Sequence, residues 1–110
     1  MAFYIKARLT NLPVTYYKNY STIERKSDNI ILCNTSASIV NVTLSYTLKD
    51  GDIAKGYVLF EFPIAAKGYL ELKGRTLNPS YSLIAYASVT NVVVLTCDII
   101  DESGEYVVPV

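Results

Sequence analysis

From Ile39 to Leu48 the chain reads as a strand, with Val40, Val42, Leu44, Tyr46 and Leu48 at every second position and Asn41, Thr43, Ser45 and Thr47 between them. A repeat of two is the pattern of a β-strand with one face buried and the other in water, because successive side chains leave a pleated backbone on opposite sides. Ahead of it, Asn29 to Cys33 carries Ile30, Ile31 and Leu32 and reads as a second strand. The segment Asn34-Thr35-Ser36-Ala37-Ser38 joins the two, and Asn and Ser side chains bond readily to nearby backbone in turns. The sequence therefore predicts a central hairpin over residues 28 to 48.

The same alternation recurs along the chain. Phe3, Ile5, Ala7 and Leu9 oppose Tyr4, Lys6 and Arg8 in an amphipathic first strand that Asn11-Leu12-Pro13 ends, since proline has no amide proton for a ladder. Val14 to Tyr17 is a short second strand, Thr22 to Arg25 a further one, and a bulge at Ser27-Asp28 would let it run on into Asn29 to Cys33. After the hairpin, the Asp50-Gly51 pair suits a tight reversal. Ile53 to Phe62 then reads as a strand buried for much of its length, with Glu61 turned to the wetter face. Tyr69 to Lys73 points Leu70 and Leu72 inward, and Tyr81 to Ser88 is a strand whose inner face the pattern leaves open. Val92 to Ile100 is the most β-prone stretch, with Val93, Leu95, Cys97 and Ile99 inside.

No stretch of ten or more residues repeats at the helical period. About eight short strands with a turn signal every eight to twelve residues predict an all-β fold, a single antiparallel β-sandwich of jelly-roll or Ig-like type over residues 1–110. With its five glycines the apolar share is about 56%, above the ~45–50% of ordinary soluble domains, and the charged share of 18% lies below their ~25%. Such a surplus fills a sheet-on-sheet core or covers a subunit interface.

The chemistry excluded is as telling. Histidine is absent, which removes the commonest general base and the commonest metal ligand together. Asp98, Asp101 and Glu102 read as solvated acids around a turn rather than a catalytic pair. Asp50 and Asp52 begin like a calcium loop, but an apolar strand follows where its later ligands would stand. No catalytic, cofactor or metal residue is expected, and no small-molecule substrate. Ten basic and ten acidic residues cancel, so there is no electrostatic footprint for nucleic acid. No apolar run reaches the ~18 residues of a membrane helix. Met1 to Lys6 lacks the features of a secretory signal, which implies assembly in a cytoplasm. In that setting the glycosylation tripeptides opened by Asn19, Asn34 and Asn41 carry no weight. Cys33 and Cys97 both read as small core residues, and a reducing compartment disfavours a disulfide between them.

Ten tyrosines without a tryptophan are the unusual feature. Tyrosine offers large contact area with a polar tip and is favoured at interfaces. The expected contact residues are Tyr4 on the first strand, the crowded Tyr16, Tyr17 and Tyr20, and Tyr106, Val108 and Val110 in the apolar tail 105–110. An exposed apolar strand of that kind either closes its own sheet or adds to a neighbouring subunit.

The run Ile30-Ile31-Leu32-Cys33-Asn34-Thr35-Ser36, followed by Val40-Asn41-Val42-Thr43-Leu44, resembles a recurring segment of small β-sandwich virion proteins of tailed bacteriophages. Val14-Thr15-Tyr16-Tyr17, the step Pro63-Ile64-Ala65-Ala66-Lys67-Gly68-Tyr69-Leu70-Glu71-Leu72 and the late strand Tyr81 to Ser88 extend the likeness over roughly residues 10 to 100. Asn78-Pro79-Ser80-Tyr81 departs from it where a Gly-Asp turn is expected. The resemblance implies a non-enzymatic accessory protein of the neck, collar or tail, or a capsid decoration protein, present as a homo-oligomer with other virion proteins as partners. The alternative is a receptor- or carbohydrate-binding module on a fibre.

Overall fold

Pairing between strands far apart in the sequence sets the architecture of the computed structural model, which describes residues 3–48 and 56–100. The strands are β1 (Phe3–Arg8), β2 (Val14–Lys18), β3 (Arg25–Asn34), β4 (Val40–Thr47), β5 (Tyr57–Ile64), β6 (Tyr69–Leu72), β7 (Arg75–Leu77), β8 (Ser82–Ala87) and β9 (Val93–Ile100). β1 pairs with β9, β2 with β8, β3 with β6 and β7, and β4 with β5, every pair antiparallel. The chain is thus one long hairpin, rolled up where β9 also docks on β3 and β8 on β4. Two sheets result, ordered β1-β9-β3-β6 with β7 beside β3, and β2-β8-β4-β5. This nested order is a jelly roll. The antiparallel sandwich of about eight strands expected from the sequence is present, with nine among the described residues, and β7 continues the pairing of β6 along the first half of β3.

One face of each sheet supplies the core. Ile5, Ile30, Leu32, Val93, Leu95, Cys97 and Ile99 come from the first sheet and Tyr17, Val40, Val42, Leu44, Tyr46, Leu83, Ala85 and Ala87 from the second, in a single buried cluster. The alternation read in β1 and β9 holds, and β8 turns Leu83, Ala85 and Ala87 inward. Tyr46 reaches across the core to bond its hydroxyl to that of Ser27 on the facing sheet.

The expected hairpin at residues 28 to 48 is corrected. β3 and β4 do not pair; they lie in different sheets, and residues 35–39 arch from one to the other. The side chain of Asn34 explains the arch. It is fully buried, and its Nδ2 donates to the carbonyls of Ser38 (2.7 Å), Ile64 (3.0 Å) and Ala65 (3.2 Å). Its Oδ1 accepts from the amide of Ser36 at 3.0 Å. Local bonds of this type turn the chain as a hairpin would, but the amide also grips the end of β5, so the turn leaves its own sheet.

Three smaller expectations change. Thr22 to Glu24 form no strand, and β3 begins at Arg25. The bulge foreseen at Ser27-Asp28 lies between Asp28 and Ile31, where the register with β9 slips and Asn29 takes a left-handed backbone with φ 50. The extra residue moves the buried set from Ser27 to Ile30 and Leu32. On β4 only Asn41 is wet: Thr43, Ser45 and Thr47 are buried as well, and the Glu61 amide donates to Thr43 Oγ1 at 3.1 Å. Cys33 is half-buried while Cys97 is buried, and both are free thiols.

Candidate interaction surface

β5 is the edge of its sheet, and its pairing with β4 slips twice, between Val42 and Leu44 and between Leu44 and Ser45. Each slip places an extra residue on β5. At the first, Glu61 adopts a left-handed backbone with φ 46. Two interruptions in eight residues break the alternation, so Tyr57, Phe60 and Phe62 all stay exposed, with Phe60 at 54%. Tyr57 and Phe60 lean on each other with ring centroids 4.6 Å apart. The strand expected to be buried for much of its length is an aromatic edge instead, with only Val58, Leu59 and Ile64 against the core. Glu61 is exposed as read, but so are the phenylalanines on both sides of it.

A second apolar group sits at one end of the sandwich, where the loops β1–β2, β3–β4, β5–β6 and β8–β9 meet. Backbone bonds hold them together: Leu9 N to Val93 O (2.8 Å), Asn91 N to Leu9 O (2.9 Å), Thr35 N to Val92 O (2.8 Å), Ser88 N to Asn41 O (2.8 Å) and Lys67 N to Ser36 O (3.0 Å). On this braced base Leu12, Ile39 and Val89 are exposed. Burial of such groups is favourable wherever a partner can cover them.

The residues predicted from the sequence are spread apart. Tyr4 is exposed on the edge strand β1, and Tyr20 is exposed in the β2–β3 loop with Lys18 Nζ 5.5 Å from its ring centroid. Tyr16 is half-buried against the core, and Tyr17 belongs to the core, so its ring is withdrawn from the surface. Burial raises the pKa of both hydroxyls, with Arg25 partly offsetting it at Tyr17. Tyr106, Val108 and Val110 lie outside the described residues, as do the acids Asp50, Asp52, Asp101 and Glu102. Asp98 accepts a bond from Asn29 Nδ2 at 2.9 Å. Sequence reasoning missed Tyr57, Phe60 and Phe62, although Pro63 inside their run marks an edge strand.

Grooves lined by described residues cut the outer faces. One of about 420 Å³ runs past the β3 bulge between Asp28, Asn29, Glu71 and Lys73. Another, about 320 Å³, lies on the outer face of the second sheet and is lined by Asn11, Asn41, Thr43, Glu61, Tyr86 and Ser88. Among the described residues no three His, Cys, Asp or Glu side chains gather as a metal site.

No family model matches this chain, and no curated protein matches it. Among solved structures it is similar to one described as the crystal structure of a pentameric capsid protein isolated from metagenomic phage sequences. The two share 19% identity over 96% of this chain and 72% of the other, with a TM-score of 0.42.

Proposed function

We propose that this protein is a non-enzymatic structural part of a phage virion, an accessory protein of the neck, collar or tail or a capsid decoration protein, that acts by packing against identical copies and other particle proteins. The observation that carries this reading is the aromatic edge of β5, where Tyr57, Phe60 and Phe62 are left to solvent. A stable interface removes about 1,600 Å² from water in all, and an edge of large rings is the kind of surface that supplies it. The jelly-roll order is used by capsid domains and by lectins alike, so the fold alone does not choose. The sequence motifs shared with small phage virion sandwiches favour the first. Tyr4, Tyr20 and the tail 105–110 are proposed as further contacts.

The test is the mass of the purified chain in solution beside a map of intact particles. An oligomer that occupies density in the particle supports the reading. Truncation after Gly104 should leave a soluble fold and impair incorporation. A monomer at every concentration, absent from particles, would sink it.

A further inference from the structure

The groove between Asn11, Asn41, Thr43, Glu61, Tyr86 and Ser88 has a composition that the packing of the fold does not require. Thr43 and Tyr86 stand opposite each other in the β4–β8 register, Thr43 buried and Tyr86 half-buried. The hydroxyls of Thr43 and Ser88 accept from the amides of Glu61 (3.1 Å) and Asn41 (3.0 Å), which leaves each O–H free to donate. Among the described residues, the side chains of Asn11, Asn41, Glu61 and Tyr86 make no hydrogen bond within the chain. One groove thus gathers a carboxylate, two carboxamides, two hydroxyls and the phenol of Tyr86, donors and acceptors both, and the ring of that phenol is its aromatic surface.

Glu61 is placed there at a cost. Its φ of 46 is a conformation that side chains with a Cβ disfavour and glycine does not, and strained residues of this kind gather at binding sites. At this bulge in β5 a glycine would take the same backbone without strain. None of the six side chains is cationic, so an anion would meet the carboxylate with nothing to offset it.

We propose that this groove binds an uncharged saccharide, whose hydroxyls donate and accept at once and whose C–H face suits the Tyr86 ring. Its volume of about 320 Å³ falls at the small end of the ~300–1,000 Å³ range of ligand sites, room for a terminal sugar rather than an extended glycan. The proposal does not rest on self-association: a monomer that binds sugar would remove the structural reading and leave this one standing.

The experiment is a titration of the ¹⁵N-labelled full chain, followed by amide shifts, with glucose, galactose, mannose and N-acetylglucosamine, and with N-acetylneuraminic acid as the anionic member. At least one neutral sugar should give saturable shifts centred on residues 41, 43, 61, 86 and 88, and the acid none. Glu61→Gly should abolish those shifts while raising the melting temperature, because it removes the ligand group and the backbone strain together. Tyr86→Ala should weaken binding by about tenfold. Absence of saturable shifts with every neutral sugar, equal binding of the acid, or binding unchanged in Glu61→Gly would each overturn the proposal.

Discussion

Asn19 and Asn34 close two successive crossings between the sheets with the same set of hydrogen bonds. Each carboxamide oxygen accepts from the amide and hydroxyl of the serine two places on, Ser21 and Ser36. Each nitrogen donates to the carbonyl four places on, of Ile23 and Ser38, and to backbone across the fold, Leu77 for Asn19 and Ile64 for Asn34. Both side chains are fully buried. The tripeptides opened by Asn19 and Asn34, which look like glycosylation signals, are therefore joints of the roll. Replacing either by alanine strands buried carbonyls, which costs about 1–3 kcal/mol for each group left without a partner. Asn19→Ala and Asn34→Ala should each lower stability by about 2–3 kcal/mol, while Asn41→Ala, at a side chain that bonds nothing among the described residues, should stay within ~0.5 kcal/mol. Urea unfolding midpoints check all three.

Alkali should loosen the core through two acids that face it. Burial pushes the Cys97 thiol from 9.0 up to about 12, partly offset by a backbone hydrogen bond from Asp28. Burial also raises the Tyr46 hydroxyl above its ordinary 10.0, with the Ser27 bond partly offsetting it. In the unfolded chain both groups lose their protons earlier than in the fold, so above pH 9 the unfolded state binds fewer protons and stability falls as pH rises. The contribution is whole below about pH 9 and is lost progressively towards pH 12. Unfolding free energies measured from pH 8 to 11 should slope downward, and Tyr46→Phe should flatten the part above pH 10.

The two thiols should differ in reactivity without ever pairing. Cys33 follows the buried Leu32 on β3 and is half-buried, whereas Cys97 belongs to the inward set of β9. Adjacent positions on a strand face opposite ways, so the two sulfurs sit on different faces of one sheet, where no disulfide geometry is available. A thiol-reactive chromophore should titrate one cysteine in the native protein and both in denaturant. Two equally fast native thiols would contradict the placement of Cys97.

How far the sequence can be read follows from where the pattern of two survives. In β9 it runs unbroken, so Val93, Leu95, Cys97 and Ile99 could be assigned to the core by inspection, and all four are there. Cys33 failed because the bulge at Asn29 resets the parity of β3, and one inserted residue exchanges inside for outside. The Asn34 segment was legible as a turn but not as a crossing. Its local bonds are written in the sequence, whereas the grip on Ile64 depends on a strand pairing thirty residues away. The aromatic edge was hidden for a related reason: Phe60 and Phe62 look like core until the two bulges of β5 are known. Hydrophobicity reports only that a ring prefers to be covered, and leaves open whether this chain or another covers it.

That last ambiguity is what substitutions on β5 can resolve. Phe60 is exposed and leans on the likewise exposed Tyr57, so charging it removes little from the monomer. Phe60→Lys should change stability by less than about 1 kcal/mol, since surface changes away from buried contacts are usually small. At a subunit interface the same lysine would be buried without a partner, and truncating or charging a central anchor commonly costs 2 kcal/mol or more of association, roughly a thirtyfold weaker complex. Sedimentation equilibrium of the parent and the variant separates the two effects: unchanged melting with a shift from oligomer to monomer places Phe60 in the interface. Thr15→Lys, on the exposed face of the opposite edge strand β2, supplies the comparison and should leave the mass as it was. If both variants associate like the parent, the aromatic edge is not where copies meet, and the end formed by Leu12, Ile39 and Val89 becomes the surface to substitute next.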